Sequence, residues 1–456
     1  MRHIMGKGTR EINLQVTISN RHILGIALPI TAAIIVPQIN FITNNIFLGG
    51  LGLEALALAG ITGVYYLIFA VVGHGLNNGL QALISRRAGE NRIDAIGSLF
   101  SQGIRISLVL AILGMLVTWL IAPTILNWSM HDKASVQICV RFLNIRIIGL
   151  PLLYVYQMRN ALLVGTNQSK YLIIGTATEA ITNIFFDYTL IYGKWGFPQL
   201  GFDGAAYSSI LSEFFGLFVI FLVIRLNGIA EKLQLFKNWA YDKVNIRLIL
   251  VQSYPLILQH VMSIISWTFF YILIEHHGER DLAISNTMRN IFGFFGCFTW
   301  AFAATANTMV SNVIGQNRPE DVKRLIKRIM RWSVGFAFIV FCFLNLFPKT
   351  YLSIYGQGDD FINAAIPVIR IVSSALVLMS VSVVWMNAVT GTGNSKMNLF
   401  TEVTAISLYC IYVYVVLEKL NLPIVWGWAS EWIYWSTILI PSYWYMHSGK
   451  WVHKKI

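Results

Sequence analysis

The sequence contains little charge for its length. Asp, Glu, Lys and Arg make up 12% of its 456 residues, while 56% are hydrophobic. Soluble domains carry about 25% charged and about 45–50% apolar residues. A chain with half the usual charge has too few polar groups to cover a water-facing surface, which excludes a soluble domain and a disordered chain. The composition predicts a polytopic membrane protein.

Cysteine is also scarce, with four in the whole chain. All four lie inside apolar runs without CxxC or other metal-ligand spacing, which excludes a disulfide scaffold and indicates small buried side chains. Catalytic motifs are absent as well: there is no GxxxxGK[ST] loop for ATP, and no HExxH or GxSxG pattern. We therefore predict no metal site, no bound cofactor, no use of ATP and no enzymatic activity.

Long apolar stretches recur through the chain, separated by Gly, Pro and charged clusters. Only helices satisfy their backbone polar groups in lipid at this length. The predicted fold class is an all-α polytopic membrane protein with twelve transmembrane helices. The stretches lie near 22–48, 55–82, 103–124, 136–164, 171–193, 203–226, 248–275, 282–312, 331–348, 363–390, 398–417 and 424–446.

The 34 Lys and Arg residues are distributed unevenly over the predicted loops. With the N-terminus placed inside, 24 fall at the inner ends, six at the outer ends and four within spans. Lys and Arg favour cytoplasmic loops, so both termini are predicted to be cytoplasmic, in the plasma (inner) membrane. The same distribution explains the net charge of +13 without a nucleic-acid partner.

The second half of the chain matches the first at one constant shift of 226 residues, which we call the repeat offset. It places Gly89 on Gly315 and the segment GTNQSK on GTGNSK. We predict an N-terminal six-helix bundle at 1–226, a cytoplasmic linker at 227–246 and a C-terminal six-helix bundle at 247–456. Because six helices return the chain to the same side, the halves should be parallel repeats around a central cleft, as in transporters. One chain supplies both halves, so we expect a monomer.

Five carboxylates lie within predicted spans, where a charge is costly and usually faces the bundle interior or water. In the fifth helix Glu179, Asn183 and Asp187 recur at every fourth residue and therefore share one face. Their oxygens could bind a hard cation or a proton. The alternative is a structural ion pair, for example with Arg146 of the fourth helix. The remaining carboxylates are Glu213, Glu402 and Glu431.

Prolines and tryptophans indicate two further features. Pro29 and Pro37 remove backbone hydrogen bonds from the first helix and predict a kink that could act as a hinge, although prolines also occur in membrane helices for structure alone. Trp428, Trp432 and Trp435 follow a helical spacing near the end of the chain. They are either interfacial belt residues or the lining of a substrate cavity for a cationic or aromatic compound.

The order and spacing of several segments resemble the multidrug and toxic compound extrusion (MATE) transporters. The segments are LPITAAIIVPQINFITNNIFLGGLG, SRRAGENR, GTNQSK, NIFFDYTLIYG and LGFDGAAYSSILS, and the resemblance extends over essentially the whole chain. It implies a secondary active antiporter in the lipid bilayer that exports small organic substrates, cationic or amphipathic, in exchange for Na+ or H+.

The resemblance points to the prokaryotic DinF-like branch, whose ion site lies in the N-terminal half. The Asp that this branch carries in the first helix falls on Asn44, which is a departure, and Glu179 could supply the missing charge. The helix-seven Glu of the other bacterial branch falls on Ser263. The ion-coupling residues implied by the resemblance and the acidic face are Asp187, Asn183, Asn44, Glu179, Ser209 and Glu213.

Two other functions stay open on the sequence alone. A flippase for lipid-linked saccharide precursors, from the same wider superfamily, would line its cavity with basic residues, and Arg146, Arg289 and Arg370 lie within spans. An intramembrane enzyme or receptor would require His74 or His260 to meet a carboxylate and a metal. A lone histidine on an apolar helix is more often a packed, hydrogen-bonded residue.

Overall fold

The computed structural model describes residues 13–130, 132–235, 237, 239–452 and 454. Arg2, Lys7, Arg10 and Lys455 of the predicted basic loops lie outside these residues. Twelve long helices confirm the predicted fold. They are α1 Asn20–Gly49, α2 Leu53–Gly89, α3 Ile93–Ser129, α4 Lys133–Gly165, α5 Leu172–Tyr192, α6 Phe202–Leu226, α7 Lys243–Glu275, α8 Glu279–Gly315, α9 Val322–Leu346, α10 Asp359–Gly391, α11 Ser395–Lys419 and α12 Ser430–Ser448.

Nine of the helices in the described part of the chain are long and apolar enough to cross a membrane by length and composition alone. The other three long helices, α5, α8 and α12, are more polar because they carry residues such as Asp187, Arg289 and Glu431. Each packs against neighbouring helices: α5 against α6, and both α8 and α12 against α10. Polar side chains on these helices can therefore face protein instead of lipid.

The connection between the two halves is shorter than the predicted linker at 227–246. Helix α7 begins at Lys243 because Asp242 caps it, accepting hydrogen bonds from the backbone N–H groups of Val244 and Asn245 at 3.0 and 3.1 Å. A capping carboxylate satisfies amide groups that would otherwise lack partners in the first turn. The last four residues of the predicted linker are therefore helical.

The turns between helices recur at the repeat offset, as predicted. Asn91 and Asn317 both have a left-handed backbone, with φ of 55° and 59°. Each lies two residues after the end of the preceding helix, α2 or α8. Asn167 and Gly393 form a second such pair, with φ of 61° and 86°. Asn and Gly adopt this conformation at the lowest cost. The loops at 90–92, 166–171, 316–321 and 392–394 lie on what we call the basic side.

The halves meet near the basic side through a reciprocal seam between α2 and α8. Ser85 Oγ donates to the carbonyl oxygen of Thr308 at 2.7 Å, and Ser311 Oγ donates to the carbonyl oxygen of Ala82 at 2.6 Å. Each bond is the image of the other under the repeat offset. The seam therefore has the self-complementary pattern of a two-fold interface.

Glycine allows the two backbones of the seam to approach closely. A Cβ atom built on Gly89 would overlap the carbonyl oxygen of Asn312, and one built on Gly315 would overlap the carbonyl oxygen of Arg86. These two glycines are again related by the repeat offset. No side chain larger than hydrogen fits at either position without moving the partner backbone.

A segment before α1, residues 13–18, lies across the basic end of the seam, and we call it the N-terminal strap. Val16 is 2% exposed and belongs to the core that both halves share. The Gln15 side chain donates to the carbonyl oxygen of Gly89 at 3.0 Å, and Asn312 Oδ1 accepts from the Val16 N–H at 3.0 Å. The strap thus joins α2 of one half to α8 of the other.

Candidate functional site

The most unusual polar group in the N-terminal half is a set of three buried oxygens on α5. Asp187 is fully buried, and Asn183, one turn away, is 2% exposed. Within the described residues, neither carboxylate oxygen of Asp187 has a hydrogen-bond partner, and Asn183 Oδ1 has none either. A buried carboxylate without a partner is strongly unfavourable. These oxygens therefore form a site that a cation or a proton would stabilise.

The hydroxyl that α6 presents to this site is Ser208, so the prediction of Ser209 is wrong by one position. Asn183 Nδ2 donates to Ser208 Oγ at 3.2 Å, and Ser208 Oγ donates to the Asn183 carbonyl oxygen at 3.0 Å. Asp187 also lies beside Ser208. Ser209 Oγ instead donates to the carbonyl oxygen of Ala205 in its own helix at 2.9 Å. Successive helical residues differ by about 100° in direction, so only one of the two serines faces α5.

Glu213 pairs with Arg146 and makes no hydrogen bond to Asp187 among the described residues, so its role in ion coupling stays a prediction. Arg146 donates from Nη2 to Glu213 Oε1 at 2.5 Å and from Nη1 to Oε2 at 3.2 Å. The Tyr66 ring lies 4.0 Å from Arg146 Cζ. A Cβ built on Gly149 would lie 2.7 Å from Nη1 and 2.8 Å from Glu213 Oε2, so the pair packs closely against this glycine. This is the structural ion pair that the sequence left open as an alternative.

Removing one partner of this pair should destabilise the protein strongly. Arg146→Met leaves the Glu213 carboxylate buried and unpaired, at a cost of about 3–5 kcal/mol. Replacing both residues by methionine should recover most of that loss, since no charge is then buried. Thermal unfolding of the detergent-purified variants measures the effect.

The matched control is Arg141→Met, because Arg141 pairs with Asp203 at 2.5 Å but is 64% exposed. An exposed pair contributes about 0–1 kcal/mol. Equal destabilisation by Arg141→Met and Arg146→Met would contradict a special role for the buried pair.

Glu179 lies between two arginines, two turns from Asp187 on the same helix. It is half-buried, and its carboxylate interacts electrostatically with both Arg146 and Arg159. Arg159 is 2% exposed, with its Cζ 3.8 Å from the Tyr156 ring and no hydrogen-bond partner for its guanidinium among the described residues. Glu179 therefore offsets a buried positive charge. Its use in place of the missing first-helix carboxylate remains a prediction.

Helix α1 runs alongside α5 and carries Asn44 to the outer part of the site. Near the basic side Ser169 Oγ donates to the Gly25 carbonyl oxygen at 3.3 Å, and at the other end Tyr192 OH donates to the Phe47 carbonyl oxygen at 2.6 Å. In each pair the residue after α4 or on α5 is 144 or 145 positions later in the chain than its partner on α1. The same difference places Asn44 close to the level of Asp187. Asn44 Oδ1 is buried and has no partner among the described residues.

The two prolines of α1 do not break the helix. Helical structure continues from Asn20 to Gly49 through both Pro29, which is half-buried, and Pro37, which is exposed. A hinge requires a second conformation, so their role as hinge residues remains a prediction.

The C-terminal half contains a buried carboxylate that sequence reasoning did not place in a site. Glu402 is 1% exposed and accepts three hydrogen bonds: from Ser263 Oγ at 2.6 Å, Tyr434 OH at 2.5 Å and Gln259 Nε2 at 3.3 Å. The signal available in the sequence was Ser263, which occupies the position of a family carboxylate. Glu402 is well satisfied by its neighbours, whereas Asp187 is not.

Trp428, Trp432 and Trp435 lie in three different environments, and their use as a substrate-cavity lining stays a prediction. Trp428 lies in a short helix before α12, is fully buried and donates from Nε1 to Ser285 Oγ at 3.1 Å. Trp435 is 6% exposed and donates to Glu431 at 2.9 Å, while Trp432 is 41% exposed. Their helical spacing in the sequence gives no sign of these differences in exposure.

The two candidate histidines lie where α2 of one half crosses α7 of the other. A Cβ on Gly75 would lie 2.7 Å from Ile257 Cα, so the helices touch beside both residues. His74 is exposed, and His260 Nδ1 pairs with the Leu256 carbonyl oxygen at 2.7 Å. In the part of the chain that the structure describes, no three His, Cys, Asp or Glu side chains are grouped closely enough to hold a metal ion.

Comparison with known protein families gives two matches of the same kind. The MatE family model matches residues 29–189 and again residues 255–415. The repeat offset carries the first of these ranges onto the second. The two matches cover more than half of the chain, one in each half.

Individual relatives are distant but extend over most of the chain. The chain is 21% identical over 446 residues to the probable multidrug resistance protein NorM of Thermotoga maritima, covering 96% of this chain and 94% of the relative. It is 22% identical over 365 residues to the protein of the same name from Synechocystis, covering 78% and 79%. A solved MOP superfamily transporter from Pyrococcus furiosus, described as having a binding pocket of reversed polarity, superposes with a TM-score of 0.87. That similarity covers 97% and 98% of the two chains at 16% identity, and it shows a common fold.

Proposed function

Because this chain belongs to the MatE family of multidrug and toxic compound extrusion transporters, we propose that it is a secondary active efflux antiporter. It exports small organic compounds, cationic or amphipathic, in exchange for Na+ or H+. The relatives named as multidrug resistance proteins support this direction of transport. No ATP and no cofactor takes part, and one chain with two halves works as a monomer.

The observation that carries the proposal is the unpartnered carboxylate of Asp187. A bound Na+ or proton neutralises a charge that is otherwise buried without a partner. Ion binding therefore stabilises the conformation in which Asp187 is buried. Asn183 contributes an amide oxygen, and Ser208 fixes that amide by two hydrogen bonds. Asn44 contributes an oxygen from α1. This placement of the ion in the N-terminal half supports assignment to the DinF-like branch.

We place the basic side in the cytoplasm of a cell whose plasma (inner) membrane holds the protein. The excess of Lys and Arg on this side supports that orientation, with both termini inside. With this orientation the seam and the strap join the two halves on the cytoplasmic side, and we infer that this conformation faces outward. Organic substrate leaves from this state, and the coupling ion enters.

Transport by proteoliposomes with separately imposed gradients tests the proposal and identifies the ion. We expect a cationic dye to move against either a Na+ gradient or a pH gradient in the absence of ATP. Dissipating the effective gradient with an ionophore should stop transport. Dye movement that needs ATP, or that ignores both gradients, would overturn antiport.

A flippase for lipid-linked saccharide precursors is the second candidate, and Arg289 is the observation that favours it. Arg289 is exposed on α8, with its Cζ 5.4 Å from the Tyr271 ring. Arg370 is also exposed, whereas Arg146 is neutralised by Glu213. Competition of dye export by an anionic lipid-linked saccharide would favour this candidate. Competition by organic cations alone would favour efflux.

A further inference from the structure

The internal repeat allows one face of α3 to be compared with the equivalent face of α9 on the basic side, and the two faces differ in charge. In the N-terminal half the connection to α7 covers one face of α3. Ser98 Oγ donates to Asp242 at 3.3 Å, and Gln102 Nε2 donates to the Ala240 carbonyl oxygen at 2.8 Å. Gln102 is fully buried beneath this connection. This face of α3 is therefore protected by the chain itself.

The corresponding face of α9 is covered by the strap only at Arg328, which donates to the Ile18 carbonyl oxygen, and it is strongly basic. The repeat offset places Ser98 on Arg324 and Gln102 on Arg328. Between positions 322 and 332 the sequence contains no Asp or Glu, and within the described residues no salt bridge involves this face. We call it the α9 basic stripe, which consists of Lys323, Arg324, Lys327, Arg328 and Arg331.

The stripe is accessible over most of its length. Arg324, Lys327 and Arg331 are exposed, while Lys323 and Arg328 are half-buried. Arg328 also donates to the carbonyl oxygen of Ile18 in the strap. Five positive charges within three turns repel one another unless anions lie beside them. A partner of negative charge is therefore expected on this face.

The position of the stripe along α9 identifies that partner. Further along the same helix, Phe338, Ile339 and Leu346 are 55%, 67% and 71% exposed, as expected for side chains in contact with lipid tails. The stripe lies at the end of this apolar surface, on the basic side, at the level where lipid headgroups begin. A headgroup is thus closer to these cations than any soluble protein would be.

We propose that the exposed part of the α9 basic stripe, beside the strap, is a binding site for anionic phospholipid headgroups. The phosphate groups accept hydrogen bonds from the Lys and Arg side chains, and the acyl chains follow the apolar surface of α9. The site is separate from the oxygens of Asp187. It requires only that the protein lies in a membrane.

Native mass spectrometry of the full-length protein tests this site by counting bound dioleoylphosphatidylglycerol against dioleoylphosphatidylcholine. Each Lys or Arg near an anionic surface contributes about fivefold to binding. The triple variant Arg324→Gln, Lys327→Gln and Arg331→Gln should therefore reduce the preference for the anionic lipid by about tenfold or more. The wild-type preference should also fall as salt is added.

The control variant removes three exposed charges from the same side of the membrane: Arg225→Gln, Lys243→Gln and Arg247→Gln. It lowers the net charge equally, so it should keep most of the preference. Equal loss in both variants would show a general charge effect and overturn the site. An unchanged preference in the stripe variant, or stripe-dependent binding of a soluble poly-glutamate peptide without lipid preference, would overturn it too.

Discussion

Ion-driven export of a cationic dye is expected to fall about a hundredfold when Asp187 is replaced by asparagine. Coupling between two binding sites of a protein typically amounts to about 1–3 kcal/mol, or about 5–150-fold, and in the function that we propose the charge of Asp187 carries this coupling. The amide has nearly the same shape, so packing is preserved. Initial rates in proteoliposomes with the effective gradient imposed measure the loss.

Thermal unfolding separates this effect from misfolding. Wild-type protein should gain stability as the coupling ion is added, by about 2.7 kcal/mol at a concentration one hundred times the dissociation constant. Asp187→Asn should lose this gain while remaining at least as stable as the ion-free wild type, since no unpaired charge is buried. Asp94→Asn, an exposed acid at the start of α3, should behave as wild type. Full ion-dependent stabilisation in Asp187→Asn would place the ion elsewhere.

The second large effect is expected at the seam, where Gly89→Ala and Gly315→Ala should each open the basic side. The added methyl groups would collide with backbone carbonyl groups, and overpacking of this kind costs about 1–3 kcal/mol. Such a cost shifts a two-state equilibrium by about 5–150-fold away from the closed seam. Distances between spin labels at positions 92 and 318, in exposed loops of the two halves, measure the opening.

The equivalent contacts of the two glycines add a second requirement to this prediction. Since Gly89 and Gly315 occupy equivalent positions, their variants should shift the distance distribution by similar amounts. Gly63→Ala, in the same helix as Gly89 but with open space around it, should leave the distribution unchanged. A seam that stays closed in both variants would contradict the idea that glycine controls the approach.

The repeat and the helices were predictable because their signals are local. Turn residues such as Asn91 and Asn317 keep their type in both halves, since a left-handed backbone tolerates few side chains. Apolar length likewise predicts most of the spans, nine by length and composition alone in the described part of the chain, without knowledge of their neighbours. The start of α7 was misplaced because Asp242, a helix cap, does not differ in kind from the other polar residues around it.

The site was harder to predict because it depends on how helices face one another. Ser208 and Ser209 are adjacent in the sequence, and only the rotation of α6 against α5 decides between them. Glu213 was equally suited to ion coupling and to pairing with Arg146, and the sequence does not show that α4 and α6 bring the two side chains together. Such choices involve residues far apart in the chain, which a single sequence does not relate.

The strap was missed although its pattern is visible. Leu14, Val16 and Ile18 alternate with polar residues, which is typical of an extended segment with one buried face. Three alternating positions before a long helix were too few to stand out from a polar leader. The buried face of the strap packs where α2 and α8 meet, and the sequence alone does not show that these two helices meet.

One residue of the seam also determines how cleanly the transporter can switch. Asn312 accepts from the Val16 N–H of the strap at 3.0 Å and donates to the Ser85 carbonyl oxygen of the seam at 3.2 Å. Neither contact can be released without disturbing the other, so strap and seam open together. A form in which the seam opens while the strap stays in place, or the reverse, would lose one of these two hydrogen bonds of Asn312. The strap therefore acts as part of the seam and not as a separate latch.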